Sequence, residues 1–553
     1  MRKKIDLNGI WDFCPLYDVK CDISLPEVCR YEEIVVPSSW TSDVYRYQSF
    51  DPYNVMEYPE KWNEADSGVL RKVFYVETKE NESVFLQIEN AAQRSGIYIN
   101  GKFVCCWEEI YLPLRVDITD FVKKGENELQ VVCTSFEKCT IPSGQAKTTG
   151  LTGSWFGNRA RGIWNSVFVE VINHIHVSDV AIRTSVREHT IEVISTVSHD
   201  CENAEVAADV YDGKEKVYSL SGKPGRLIGK WNDPIYWDTE NPHLYVLKLK
   251  LYVNGETVDE VTERFGFREF WNDGTQFILN GTPINLRGDS WHFRATVQMT
   301  KQYALNWFQM CKNNGVNYIR FHANPHPKFY LDAADEAGML IVDETAIHGS
   351  GKAMDAANEI YLKRCKEHVK RLVLRDRNHP CVIFWSLENE MRWVDGRDVY
   401  KQHIPEMIKS MNLLDPTRKV SLDGDNRLIS YENTQLESLH YNIDGTIEQW
   451  RREKPLTIGE HGGMWYVCPQ NASQYVGLKA YDDFESCAIG FAKKERLFHE
   501  YARRMGVSGI STFNFANYFT YSMPDKDIYF EDAPFKKIPK NSLTINNGYL
   551  KNY

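Results

Sequence analysis

After Trp271 the chain alternates between short apolar runs and helix-period segments, and this alternation sharply limits the folds open to it. The runs are 284–288, 317–322, 340–345, 382–390, 419–425, 437–442, 456–463 and 509–515. Short apolar runs bounded by turn signals read as strands buried on both faces. Between them lie segments with apolar residues at helix spacing: 302–313, 328–337, 357–375, 400–411 and 491–504. Strands that alternate with helices form parallel sheets. Eight such units predict a (β/α)8 TIM barrel, with a doubly wound sheet as the alternative.

The ends of these runs are polar. The fourth reads VIFWSLENEM from Val382 to Met391 and passes from apolar residues into Glu388, Asn389 and Glu390. The seventh, LTIGEHGG from Leu456 to Gly463, carries Glu460 and His461. A buried strand ending in an ionised carboxylate is costly unless a site uses or pairs the charge. Barrel enzymes place their chemistry at those strand ends. Hydrolysis of a glycosidic bond with retention needs an acid and a nucleophilic carboxylate about 5 Å apart. Glu390 and Glu460 are the candidates. The other strand ends supply Arg287, Asp289 and His292, Arg320 and His322, Asp343 and Glu344, Asp423 and Asp425, His440 and Tyr441, and Asn514 and Asn517. A ring of such residues describes a polar pocket in which arginines and carboxylates must partly pair.

Before Trp271 no helix period of useful length appears. Segments 69–76, 83–89, 95–100 and 128–134 alternate or form apolar runs between turns, as in a jelly-roll β-sandwich. Strands at 190–197, 204–211 and 244–253 predict a second, immunoglobulin-like β-sandwich, without the Cys-Trp-Cys spacing of a true immunoglobulin domain. The domains expected are 1–172, 173–270 and 271–553. The last run is followed by an irregular, Pro-containing segment from Tyr521, with no eighth helix pattern. This reads as a barrel truncated at its C-terminal end or closed unusually.

A net charge of -11 argues against nucleic acid or an anionic membrane as partner. No apolar run is long enough to span a bilayer. The 13 cysteines show neither a disulfide framework nor zinc spacing, which favours a reducing compartment. The start, MRKKIDLNGIWDF, lacks an apolar signal core, so the expectation is a cytoplasmic protein.

The combined strings resemble glycoside hydrolase family 2, the family of β-galactosidases, β-glucuronidases and β-mannosidases. They are VPSSW (36–40), RGIWNSVFVEV (161–171), YWDTENPHLY (236–245), FGFREF (265–270), NGTPINLRGDSWH, NYIRFHANPHPKFYLDAADEAGMLIVDE, RNHPCVIFWSLENEM and LTIGEHGG. The resemblance implies that Glu390 is the acid/base, Glu460 the nucleophile and Asn389 the ligand of the sugar 2-hydroxyl. It also implies pocket roles for His292 and His322, support of the nucleophile by Tyr441, and Phe513 beneath the sugar. Four positions depart from the family pattern. Phe156 stands where relatives often carry a sugar-gripping aspartate. No Asn-x-Lys pair follows the eighth strand. ETAIHGSG, with His348, replaces a magnesium-binding glutamate. Glu388 replaces a small residue and is expected to point away from the pocket.

The expected function is a retaining exo-β-glycosidase acting on a small carbohydrate or glycan end, β-galactosidase-like by family base rate. It would need no organic cofactor, and no metal is expected. Three alternatives stay open. A guanidinium cluster of Arg159, Arg161 and Arg320 would suit a β-uronidase. A non-catalytic glycan-binding protein would share the architecture. A metal-dependent hydrolase would use His292, His322, His348 and His461. Relatives are commonly oligomers, so a homo-oligomer is an option.

Overall fold

A computed structural model describes residues 2–17, 21–41, 58–141, 143–154, 156–293, 299–349, 354–441, 444–462 and 468–513, with the backbone of four two-residue strands beyond 520. The N-terminal unit is an antiparallel β-sandwich. Its four-stranded sheet runs Lys3–Asp6, Val167–Asn173, Glu82–Ile88, Leu114–Asp117. Its six-stranded sheet runs Glu32–Val36, Gly9–Leu16, Ser67–Val76, Gly125–Thr134, Arg94–Ile99, Lys102–Trp107. Alternation along these strands places Leu70, Leu86, Ile97, Leu129, Val131 and Val169 in one buried core between the sheets. The second unit is a smaller sandwich of three and four strands, the immunoglobulin-like pattern, with its core around Val193, Val206, Leu247 and Leu249.

Eight parallel strands follow: β1 (Leu286–His292), β2 (Tyr318–His322), β3 (Leu340–Glu344), β4 (Val382–Asn389), β5 (Lys419–Asp423), β6 (Glu437–His440), β7 (Leu456–His461) and β8 (Gly509–Thr512). Their order is β5-β4-β3-β2-β1-β8-β7-β6, so the ring is hydrogen-bonded from β5 round to β6. Side chains bridge the seam between β5 and β6. Val420 N–H donates to Gln435 Oε1 at 2.7 Å, and Ser438 Oγ donates to Asp423 Oδ1 at 2.8 Å. This is the TIM barrel expected from the alternation, not the doubly wound sheet. Expected strand ends 463 and 515 lie outside the described residues.

The helices are α1 (Lys301–Asn313), α2 (Lys328–Ala337), α3 (Glu359–Asp376), α4 (Arg397–Leu414), α5 (Pro469–Val476) and α6 (Phe484–Met505). Their starts follow local chemistry. Thr300, Asn358 and Asp483 each accept a backbone N–H of the first turn. The helix-period reading undercounted after β7: it missed α5 and the first turns of α6, where Phe484, Cys487, Ala488 and Phe491 do follow helix spacing. Among the described residues no helix is long and apolar enough to cross a membrane.

The first sandwich and the barrel share a core. Tyr111, Phe136, Phe156 and Trp164 pack with Phe293, Tyr330 and the α3 residues Tyr361 and Leu372 in one cluster. Charged groups bracket this contact. Arg364 on α3 donates to Glu108 at 2.6 Å and Glu137 at 2.8 Å, and His368 meets Glu109 at 3.0 Å. The sandwich is thereby docked beside the barrel mouth.

Candidate active site

Strand β4 is buried along its whole length and stops at Glu390, whose φ of 51° is left-handed. A non-glycine residue is strained there, and the surroundings hold it. Glu390 N–H donates to the Asp423 carbonyl at 3.0 Å, and Asn389 N–H to that of Ile347 at 2.9 Å. The next amide, Met391 N–H, donates to Glu388 Oε2 at 3.1 Å and Asp425 Oδ2 at 2.5 Å. Burial and the charge of Asp425 push the Glu388 carboxyl well above the usual range. Asp425 is paired with Arg392 at 2.7 Å. Glu388 therefore braces the turn that carries Glu390.

Glu460 lies buried near the end of β7. Its Oε1 accepts from Arg320 Nη1 at 2.8 Å and lies 3.1 Å from His322 Nε2. Burial pushes its carboxyl up, but the charge of His440, the bond from His322 and the Arg320 guanidinium outweigh burial and hold it well below the ordinary range. Arg320 is 1% exposed. Its Nε and Nη2 donors go to Glu344 at 2.8 and 3.0 Å and to Asn389 Oδ1 at 2.5 Å. It holds Glu460 and Asn389 in place. The Glu344 carboxyl is pushed up to about 8 by burial, against the pull of Arg320.

His440 sits between the two candidate carboxylates. Its Nδ1 is 2.9 Å from Glu390 Oε1 and 3.6 Å from Glu460 Oε1, and its Nε2 is 3.7 Å from Asp423. Burial opposes its charge, but Glu460, Asp423 and Glu390 together raise it to about 10. Two glycines leave room for this ring. A Cβ on Gly459 would lie 2.3 Å from Asp423 Oδ1 and 2.8 Å from His440 Nε2, and one on Gly424 (φ 75°) would lie 2.7 Å from His440 Nδ1.

The other pocket histidines form a relay. Burial lowers His322 to about 4, so its ring carries a single proton. With Nε2 facing Glu460, that proton sits on Nε2, and Nδ1 accepts from His292 Nδ1 at 3.0 Å. The Phe513 ring lies 5.2 Å from both His292 and His322, and His348 lies 5.5 Å from His322. His461 is directed outwards: its ring stacks on Phe498 of α6, and Nε2 is 3.2 Å from Glu495.

The structure thus brings Glu390, Glu460, Asn389, Arg320, His322, His292 and Phe513 together and leaves His461 outside. Tyr441 meets Glu460 through the backbone, its N–H donating to the Glu460 carbonyl at 2.9 Å. The His440 side chain also reaches the Glu460 carboxylate, with Nδ1 3.6 Å from Oε1. The β6–β7 register shifts between Leu439 and His440. Strand-end polarity picked out both residues. Asn514 and Asn517 lie outside the described residues.

The loop before Gly162 does reach the barrel. Ser154 Oγ donates to Asn324 Oδ1 at 2.7 Å, and Gly153 N–H to the Ala346 carbonyl at 3.2 Å. Phe156 fits between Trp164 and Phe293, with ring centroids 4.9 and 5.0 Å away. Arg161 is held within the sandwich by Asp66, Ser135 and the Ala160 carbonyl. It does not converge on Arg320.

Glu390, His440 and Glu460 offer oxygen and nitrogen atoms within 4.8 Å of one another. An imidazole that holds its second proton makes a poor metal ligand, so the trio suits proton and charge chemistry better than a cation. Asp335, His379 and Cys381 also cluster, but Asp335 Oδ2 is bonded to His379 Nδ1 at 2.6 Å and Oδ1 accepts Cys381 N–H at 3.1 Å.

Two glutamates at the ends of β4 and β7 of a TIM barrel, flanked by two β-sandwiches, describe a carbohydrate-active barrel protein. The chain belongs to glycoside hydrolase family 2. Its residues 4–168 match the family's sugar binding domain, 175–268 the model described as glycosyl hydrolases family 2, and 272–522 the family's TIM barrel domain. A Formosa agariphila protein named "Putative beta-glucuronidase" is 28% identical over 74% of this chain and 53% of its own length. A β-galactosidase of Thermoanaerobacter pseudethanolicus is 27% identical over 85% of this chain and 63% of its own. The chain thus spans little more than half the length of these curated relatives. Among solved structures, a β-glucuronidase from Ruminococcus gnavus in complex with D-glucuronic acid superposes with a TM-score of 0.72 at 20% identity, covering 100% of this chain and 97% of the other. That likeness concerns the fold.

Proposed function

We propose that the protein is a retaining exo-β-glycosidase, with Glu460 as nucleophile and Glu390 as acid/base. The observation that carries this reading is the approach of a Glu390 oxygen and a Glu460 oxygen to within 4.8 Å. That spacing suits direct attack and is too short for an inverting water. The ionised Glu460 attacks the anomeric carbon as the aglycone oxygen leaves with the proton of Glu390. A glycosyl ester results. Water then gives a proton to Glu390 and attacks the same carbon, the ester bond breaks, and the sugar leaves with its β configuration retained. Arg320 fixes the orientation of Asn389 by donating to its Oδ1, which leaves the Asn389 amide N–H2 to donate to the sugar 2-hydroxyl.

A neutral hexoside, galactoside first, is the substrate we favour. Of the three arginines that a uronide would call for, Arg320 and Arg161 are already bonded to protein groups. A cytoplasmic setting is part of the proposal, supported by thirteen cysteines without a disulfide. A homo-oligomer is proposed from the family resemblance, with light scattering as its check.

The deciding experiment uses 2,4-dinitrophenyl 2-deoxy-2-fluoro-β-glycosides of galactose, glucose, mannose, glucuronic acid and galacturonic acid. The expected result is stoichiometric labelling of the peptide containing Glu460, fastest with the galactoside. Labelling elsewhere, or none with any sugar, overturns the assignment. Faster labelling by a uronide overturns only the choice of sugar.

A further inference from the structure

At the end of the barrel opposite the catalytic mouth, a cavity of about 810 Å³ lies between the immunoglobulin-like unit and the starts of β4 and β5. Its wall is strongly basic, in a protein whose net charge is -11. Arg183, Arg187, Arg226 and Arg268 line it from the sandwich side. Arg377, Arg418 and Lys419 line it from the barrel side. The carboxylates in the wall are Glu192 and Glu269.

Bracing of the domain interface accounts for part of this charge. Arg187 pairs with Glu269, Arg183 and Arg226 share Glu192, Arg377 meets Asp179 and Arg418 meets Asp415. Seven cations thus meet four carboxylates, and three positive charges are left over. Two can be placed. Arg268 is 6% exposed, and among the described residues its side chain bonds only to carbonyls, those of Pro380 and Val382, with no partner there for Nη1. Lys419, half-buried at the start of β5, has no hydrogen bond or ion pair from its ammonium among the described residues. Burial and the neighbouring Arg418 press the Arg268 guanidinium down to about 9, and burial with Lys454 presses Lys419 down. A buried charge without a counter-charge is costly, and an anion in the cavity would relieve both groups. The same wall carries flat apolar surface: Phe384 stacks on Phe277 at 5.8 Å, with Phe270 and Trp271 beside them.

We propose that this interdomain cavity binds a small multiply charged oxyanion through Arg268 and Lys419, with Arg418 beside them. The ligand class is a phosphoryl or polycarboxylate compound, and the aromatic wall leaves room for an attached ring. Binding there links the immunoglobulin-like unit to the barrel and adds to stability. It does not touch the catalytic mouth.

The test is calorimetric titration and thermal unfolding of the whole protein with potassium pyrophosphate, phosphate and citrate, against potassium chloride at matched ionic strength. Pyrophosphate or citrate is expected to bind in the micromolar to millimolar range and raise Tm, and the stronger of the two identifies phosphoryl or carboxylate chemistry. Lys419→Gln should weaken binding about tenfold, as expected for one charge-assisted contact, and leave glycoside turnover unchanged. Arg268→Gln should weaken it further. Lys363→Gln, an exposed charge change on α3, should bind like the unaltered protein. The proposal fails if none of the three anions binds beyond the chloride control. It fails equally if Lys419→Gln and Lys363→Gln bind alike.

Discussion

Two arginines, Arg320 at the mouth of the barrel and Arg268 at its other end, are buried to nearly the same degree and meet opposite surroundings. Arg320 faces Glu344, Glu460 and Asp423, and despite burial its guanidinium is held above its ordinary value. Arg268 faces carbonyls and Arg418, and burial lowers it to about 9. At the mouth, charge is matched inside the protein, so the guanidinium organises the carboxylate and amide around it. At the other end the match is incomplete, so the charge is left to a ligand. Burial alone therefore says little about what a buried arginine does, and the signs of its neighbours decide.

The largest effect that would test this contrast is loss of the mouth's anion. Glu460→Gln should lower turnover by a factor on the order of 10^5, whatever the leaving group, as for other covalent catalysts stripped of their nucleophile. Steady-state rates on aryl glycosides check it, and retention of a substantial fraction of the rate would mean that Glu460 is not the nucleophile. Arg320→Met should destabilise by about 3–5 kcal/mol in urea unfolding, because Glu460 and Asp423 would lose their shared counter-ion. Its residual activity should also fall. A variant as stable as the parent would show that the mouth's charges are not matched in this way.

Glu390→Ala should lose about 10^2- to 10^4-fold on alkyl glycosides and far less on dinitrophenyl glycosides, whose leaving oxygen needs no proton. Equal losses across leaving groups would remove the acid/base role. Arg268→Met should cost only about 1–3 kcal/mol, mainly from the Pro380 carbonyl left without its donor. The Val382 carbonyl keeps its bond from Arg418 Nε at 2.6 Å. A cost matching that of Arg320→Met would erase the contrast between the two sites.

The smallest effect concerns pH. His440 has a folded value near 10, raised above the ordinary 6.5. Its charged form therefore adds stability that is fully present below pH 6.5 and lost as pH rises towards 10. The Tm gap between the parent and His440→Gln should be widest at pH 6 and shrink by pH 9. A gap that widens with pH would mean that the ring is neutral between its carboxylates.

Much of this was legible in the sequence because it rests on local periodicity. Run length and alternation locate β1 to β8 to within a few residues, since a buried parallel strand must be apolar on both faces. They also separate the sandwiches from the barrel. Glu390 and Glu460 were visible because carboxylates at the ends of such strands are conspicuous. What stayed hidden depends on distant partners. The Glu388 carboxyl was expected to point away from the pocket, but its partners, Asp425 and the Met391 amide, could not be read from the sequence. Arg320 looked like a candidate for a sugar carboxylate, yet it bonds Glu344, Glu460 and Asn389 within the protein.

The amino-acid order by itself determined a three-part chain, a parallel barrel and two glutamates at the ends of its fourth and seventh strands, because strand period and strand-end polarity are properties of short segments. Only the tertiary structure decided that His440 lies between Glu390 and Glu460. It alone decided that Arg161 is bonded within the sandwich and that a basic cavity opens between two domains. The physical reason is that charge matching is summed over groups brought together from separate strands. A register shift on β6 or a second carboxylate on β3 changes the sum without leaving a mark on the local pattern.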